Sequence, residues 1–248
     1  MPAHYNDISF FYPDYWQSRQ YEHHSELIAI RSLLRHRRFH QAVDIGGGYG
    51  RLTTLLTAYS PRITLVEPSL KQRLLAKKYL TSSPRISIVA GSAEKTHLPA
   101  LSQDLALVIR VFHHLPHPLP ALKEFHRILQ PGGLLLLEFA NSLHFKARLT
   151  GFIQGYPILP TPVEKRSPTN IRKNSIPFVN HHPQTFLKYL SQAGFVVEKT
   201  LSVSNLRSPV LKRYLPLSWL LTLEKFLQPL LARFYFGPSI FLLCRRLP

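Results

Sequence analysis

Only one cysteine, Cys244, occurs in the 248 residues, which excludes an internal disulfide framework and any multi-thiolate zinc site. No apolar run approaches the roughly 18 uninterrupted residues of a spanning helix. The nearest candidate, 215–236, is broken by Glu224, Lys225, Pro229 and Arg233. The opening MPAHYNDISFFYPDYW lacks a basic start followed by an apolar stretch, so no secretory signal is read and a cytoplasmic protein is expected. Internal repeats and low-complexity tracts are also missing. Acidic residues are scarce, 13 Asp+Glu against 31 Lys+Arg, for a net charge of +18. The deficit is uneven: residues 1–138 carry 16 basic and 10 acidic side chains (+6), residues 139–248 carry 15 and 3 (+12). A basic second half suits an anionic partner (nucleic acid, a phosphorylated metabolite or an acidic membrane surface), or else a generally basic, solvated exterior.

What is present is a core. Hydrophobic residues make up 45% of a chain of single-domain length. Aromatic residues crowd the start: Phe10, Phe11, Tyr12, Tyr15 and Trp16. A helix is expected up to about residue 36, with Leu27, Ile30 and Leu34 on one face; Arg31, Arg35, Arg37 and Arg38 then suit the negative end of its dipole better than a nucleic-acid contact. From residue 41 short apolar runs alternate with helical patterns: strands at 42–45, 63–66, 86–90, 105–109 and 134–139, helices at 52–58 and 70–80, and a helix placing Leu122, Phe125 and Leu129 together before Pro131-Gly132-Gly133 stops it. Near-continuous apolar strands separated by helices imply a parallel sheet covered on both faces, an α/β fold. The second half is less regular. Six prolines in 157–183 predict an ordered loop or lid; 183–193 returns to helix, 195–203 to strand, and 239–244 forms a last strand. Leu220, Leu223, Leu227, Leu230 and Phe234 make a stripe, read first as core packing, then as a dimer face, then as a membrane-surface contact supported by Lys212, Arg213, Lys225 and Arg233. The organisation expected is a single domain: a cap at 1–38, a core at 39–140, a lid at 141–182, and a C-terminal part at 183–248 with a helical insertion near 205–235.

The sharpest motif is Asp44-Ile45-Gly46-Gly47-Gly48-Tyr49-Gly50-Arg51, between the first strand and the first helix. Glycines there let the backbone turn tightly and approach a ligand, with N–H groups facing it. A dinucleotide fingerprint would need glycine where Arg51 stands, and the lysine of a phosphate-binding loop is missing. Asp44, Gly46, Gly48 and Gly50 instead resemble the first motif of class I S-adenosylmethionine-dependent methyltransferases. Glu67, before Pro68 and Ser69, matches the carboxylate that this family places on the ribose hydroxyls. Gly91-Ser92-Ala93-Glu94 resembles its adenine-contacting segment, with Ser92 where Asp is usual. Arg110-Val111-Phe112-His113-His114-Leu115-Pro116, and the Leu129-Gln130-Pro131-Gly132-Gly133 turn, are similar to segments of the methyltransferase type 11 family. The resemblance covers about residues 40–140.

It implies a Rossmann-like, seven-stranded, mostly parallel sheet with helices on both faces, N-terminal helical and C-terminal lid insertions, and S-adenosylmethionine held by Asp44, Gly46, Gly47, Gly48, Gly50, Glu67, Pro68, Ser92, Ala93 and Arg110. His113 and His114, at the end of a central strand, are the candidate general bases; packing under the cofactor is the alternative for either one. The Asn/Asp-Pro-Pro-aromatic tetrad of amino-methylating nucleic-acid enzymes is replaced here by Arg110-Val111-Phe112-His113. An O or C atom of a small-molecule or lipid-like acceptor is therefore the expected target. An RNA- or ribosome-directed enzyme and a non-catalytic cofactor-binding scaffold are the alternatives. Tyr12, Tyr15, Trp16 and Tyr21 could line a lid, and His181 and His182 could reach the pocket, with Asn180 as an N-cap. Together with His113, His114 and His117 these imidazoles suffice for a metal by count, but no carboxylate or i, i+4 pairing supports a site, so no metal is expected. The oligomeric state is not set by the sequence.

Overall fold

The computed structural model describes residues 12–80, 83–173 and 175–248. Phe10 and Phe11 of the aromatic start lie outside them. Two helices, α1 (Tyr12–Gln17) and α2 (Gln20–Leu33), precede β1 (Gln41–Ile45), β2 (Arg62–Val66), α3 (Leu70–Tyr79), β3 (Ile86–Val89), β4 (Gln103–Val108), α4 (Leu119–Ile128) and β5 (Leu129–Ala140). After these come α5 (Phe145–Gln154), β6 (Val163–Glu164), α6 (Pro168–Arg172), β7 (Val179–Asn180), α7 (Pro183–Gln192), β8 (Phe195–Val203), α8 (Pro209–Tyr214), α9 (Leu217–Ala232) and β9 (Ser239–Arg246).

Seven strands form one sheet in the order β3-β2-β1-β4-β5-β9-β8. β3, β2, β1, β4 and β5 pair parallel, and β9 inserts antiparallel between β5 and β8. The apolar strand runs are explained by burial on both faces. Ala106, Val108, Leu135 and Leu137 pack toward α4 and α7, through Phe125, Ile128, Phe186 and Leu190. Their chain neighbours Leu105, Leu107, Leu134 and Leu136 pack toward α2, through Ile30, Leu33 and Leu34. Strand order reverses at β1, whose neighbours are β2 on one side and β4 on the other. A crevice therefore opens beyond the carboxyl ends of β1 and β4, where open α/β sheets bind ligands.

Several expectations are corrected. The helix expected after the glycine turn is there as a 3₁₀ helix, Thr53–Ala58. The Pro131-Gly132-Gly133 stop lies inside the span of β5, with Gly132 at φ +76° and a register shift opposite it between Gln103 and Leu105. Residues 141–182 are not simply a loop, because α5 fills their first part. Helix α2 does not bury a plain aliphatic face: Glu22, Ser25 and Glu26 are buried beside Ala29, Ile30 and Leu33, and Leu27 is only half-buried. The leucine stripe is not a core face either. In α9 the buried positions are Leu220, Glu224, Gln228 and Ala232, so only Leu220 of the stripe is buried. Glu224 accepts from the Tyr21 hydroxyl at 2.6 Å and from the backbone N–H groups of Ser204 and Asn205, and so a carboxylate, rather than leucines, seats α9 on α2.

Candidate active site

Helix α1 lies over the crevice. Tyr12 and Trp16 meet edge to face, Tyr12 also meets Tyr49, and the Arg51 guanidinium lies 3.5 Å from the centre of the Trp16 ring. Arg51 is in turn paired with Glu26 at 2.6 Å, and the same carboxylate takes Arg110 on its other oxygen. Glu26 is fully buried; burial would raise it, but Arg110 and Arg51 outweigh that and hold it below the usual carboxylate range. Two guanidiniums from the sheet edge thus share one charge from α2.

The glycine turn takes its shape from the strands below it. Gly46 donates to the Val66 carbonyl at 2.7 Å, which ties the end of β1 to β2. Gly48 has φ +60° and points the Cβ position it lacks toward Tyr12, across the crevice. Its N–H donates to Glu67 Oε2 at 3.0 Å, and the Ser69 N–H donates to Oε1 at 2.8 Å. Burial, partly offset by these N–H groups, pushes the Glu67 carboxyl up to about 7. Asp44 accepts from the Thr53 hydroxyl at 2.6 Å and is likewise pushed up by burial, to about 6. Arg110 sits at φ +63°, unusual for a side chain of its size, with its N–H on the buried Glu138 at 3.0 Å.

Two cavities adjoin here. Asp44, Gly46, Gly47, Gly48, Glu67 and Pro68 line the inner one, with Ala93 and Arg110 completing the residues expected from sequence. Gly50 and Ser92 do not line it. Gly50, at φ +90°, packs against Leu80, and the Ser92 hydroxyl accepts from the Lys95 N–H within its own turn. Sequence reasoning missed Gln72, Leu52, Ile109 and Val111 on the same wall. Only the N-cap at Ser69, which places Gln72 in the first turn of α3, could have pointed to one of them. The outer cavity, about 500 Å³, is walled by Tyr15, Trp16 and Arg19 from α1 and its flank, and by Lys165, Arg166 and Phe178 from the lid segment. Tyr12, Arg110 and His114 line both cavities; His113 lines only the outer one.

The histidines separate by environment. His113 is buried against Phe178, and burial, then His114 and Arg110, push it well below the ordinary imidazole range. His114 Nδ1 lies 2.8 Å from the Pro177 carbonyl, an acceptor only, so that nitrogen carries a proton. Tyr21, His181 and His182 line neither cavity. Tyr21 serves Glu224, and His181 Nε2 bonds the Phe112 carbonyl at 2.9 Å. His182, not Asn180, caps α7, and it does so without a side-chain bond; the Asn180 amide reaches the Asn141 carbonyl.

The donor set fits an adenosyl sulfonium. Two buried carboxylates suit hydroxyl donors and a cation, and both arginines on the wall are held by Glu26 rather than turned to a phosphate. A family model described as a methyltransferase domain matches residues 43–137. Over that segment the chain is similar to methyltransferase domains. The ubiquinone/menaquinone biosynthesis C-methyltransferase UbiE of Syntrophotalea carbinolica is 30% identical over 142 residues, 49% of this chain and 60% of that protein. Its counterpart from Rubrivivax gelatinosus is 33% identical over 100 residues, 40% of this chain and 39% of that protein. The chain thus spans between about two fifths and three fifths of the length of these relatives. An S-adenosylmethionine-dependent methyltransferase from Mesorhizobium loti superposes with a TM-score of 0.62 at 19% identity, over 90% of this chain and 98% of that one. The [4+2]-cyclase SpnF does so with a TM-score of 0.59 at 18% identity, over 90% and 80%. Such likenesses carry the fold and leave the reaction to the site.

The shared carboxylate gives a direct structural test. Glu26→Ala leaves Arg51 and Arg110 without their counter-charge, and breaking a buried ion pair this way costs about 3–5 kcal/mol. Thermal unfolding should fall by roughly 10 °C, whereas Glu164→Ala, which removes a more exposed pair with Arg166, should leave it nearly unchanged.

Proposed function

We propose that this chain transfers a methyl group from S-adenosylmethionine to an O or C atom of a small-molecule or lipid-like acceptor. One observation carries the reading: an inner cleft with buried Asp44 and Glu67 opens directly onto an aromatic, partly basic outer cavity, and His114 stands on the wall they share. The C-methylation in ubiquinone and menaquinone biosynthesis named for the relatives supports a carbon acceptor. In this reading Asp44, Gly46, Gly47, Gly48, Glu67, Pro68, Ala93 and Arg110 hold the cofactor, and Gly50 and Ser92 shape the turns behind them. When bound, the cofactor supplies an activated methyl on a sulfonium. The remaining work falls to the chain. Glu67 accepts hydrogen bonds from the ribose hydroxyls, α1 and the lid segment exclude water, and the cavity walls align the acceptor for displacement. As the new bond to the methyl forms, the acceptor loses a proton, which His114 Nε2 accepts. His113, depressed by burial, stays neutral and packs.

The role of Glu67 has a pH signature. Its carboxyl titrates at about 7, and only the charged form accepts from both hydroxyls. Affinity for S-adenosylhomocysteine should therefore rise about tenfold from pH 6 to pH 8 and level off above. Glu67→Gln should weaken binding by about 10–100-fold, the cost of losing hydrogen bonds to a charge, and abolish the pH dependence, as read by titration calorimetry.

Transfer of a radiolabelled methyl into cell extract, fractionated into small molecules, lipid, RNA and protein, tests the acceptor class. Label in the small-molecule or lipid fraction is expected; label confined to RNA, or to no fraction, contradicts the reading. On the acceptor so found, His114→Ala should lower kcat about 10²–10⁴-fold with cofactor affinity unchanged, while His113→Gln should cost much less. Equal turnover by both variants and the parent would remove the general base.

A further inference from the structure

Helix α9 turns its carboxylate inward and its largest apolar groups outward. Trp219, Leu223, Phe226 and Leu230 follow at i, i+4, i+7 and i+11, one stripe on the helix, and Phe234 extends it just past the helix end. All five are exposed, Trp219 to 65% and Phe226 to 68%. Helix α5 buries none of its residues and exposes Leu149, Phe152 and Ile153 in the same way, Phe152 to 87%. The two surfaces meet where Phe145, at the start of α5, stacks on Phe236, just past α9, with ring centroids 4.9 Å apart. Exposed apolar area of this extent marks a contact surface.

Its rim is cationic. Lys225 and Arg233 flank the α9 stripe and Arg213 stands exposed on α8, whose Lys212 pairs with Glu22. Beside Phe145, His144 is held below the usual imidazole range by burial and by four cations from three segments, Lys165, Lys146, Arg148 and Arg207. The carboxylates near them are already engaged: Glu22 of α2 takes Arg207 and Lys212, Glu164 is paired with Arg166, Glu198 with Arg37 and Arg245, and Glu224 is buried. No helix among the described residues is long and apolar enough to cross a membrane.

We propose that this face docks on the surface of an anionic phospholipid bilayer, with α5 and α9 in the interfacial plane, their aromatic and aliphatic side chains among the acyl chains and the rim cations at the headgroups. Charge selects this occupant. A two-fold pairing of the face with a second copy would set the rim cations against their own kind with no carboxylate between them. A nucleic acid would use the cations and leave the leucine and phenylalanine stripe in water. The proposal stands whatever acceptor the site takes.

Co-sedimentation of the full chain with vesicles of phosphatidylcholine alone, and of an equal mixture with phosphatidylglycerol, tests it. Binding to the mixed vesicles should be tighter by about tenfold or more, with a blue shift of tryptophan emission. Trp219→Ser with Phe226→Ser should abolish the shift and weaken binding by about tenfold or more, and Lys225→Glu with Arg233→Glu should remove the preference for the anionic lipid. All these side chains are exposed, so melting by circular dichroism should match the parent and exclude misfolding. The proposal is overturned if the parent chain ignores anionic vesicles. It is equally overturned by a dimer in solution that the Trp219/Phe226 variant dissociates, or by RNA displacing the chain from mixed vesicles while that variant still binds them.

Discussion

The hydrogen bond from the Gly48 N–H to the Glu67 carboxylate joins the ends of β1 and β2 and fixes the mouth of the crevice. It requires a backbone at positive φ on one side and a buried carboxylate on the other. Each condition is costly alone and satisfied together, because a desolvated carboxylate finds in two backbone N–H groups the partners it lacks in an apolar sheet edge. Gly46 on the Val66 carbonyl repeats the tie one step earlier. The sheet order then does the rest: reversal at β1 opens space above this junction and nowhere else along the parallel strands. The chemistry follows from where the fold leaves an unfinished acceptor.

The crevice is closed from above by a second electrostatic junction. Glu26 reaches from α2 to Arg51 after the glycine turn and to Arg110 after β4, so the cap and both strand ends share one ion cluster. Arg51 also carries the Trp16 ring, and Tyr12 of the same helix faces Gly48. The N-terminal cap is therefore part of the site's wall rather than an appendage to the sheet. The lid segment supplies the opposite wall of the outer cavity, with the Pro177 carbonyl holding Nδ1 of His114.

The central sheet was legible because strands buried on both faces have no polar alternation to obscure them, and β1 to β5 stand close to the apolar runs of the sequence. β8 was legible because Gly194, at φ +81°, marks the stop before it. The glycine turn and Glu67 stood out for the same reason, an unusual residue type at a fixed distance from a strand end. Glu26 did not, since a glutamate on a helix reads as solvent-facing, and its partners lie 25 and 84 residues away in sequence. The inverted face of α9 misled for the complementary reason: five large apolar residues at helical spacing read as core, whereas the Glu224 carboxylate, satisfied by Tyr21 and two backbone N–H groups, takes the buried position. Gly50 and Ser92 were assigned to the ligand by motif alone, and packing against Leu80 and a local turn used them instead.

A crystal structure of this chain with S-adenosylhomocysteine decides most directly whether the junction of β1 and β2 is a cofactor seat. The ribose hydroxyls should both lie within hydrogen-bond distance of the Glu67 carboxylate, with the sulfur facing the wall that carries His114. Density for the compound elsewhere on the molecule, or a ribose turned away from Glu67, would contradict it.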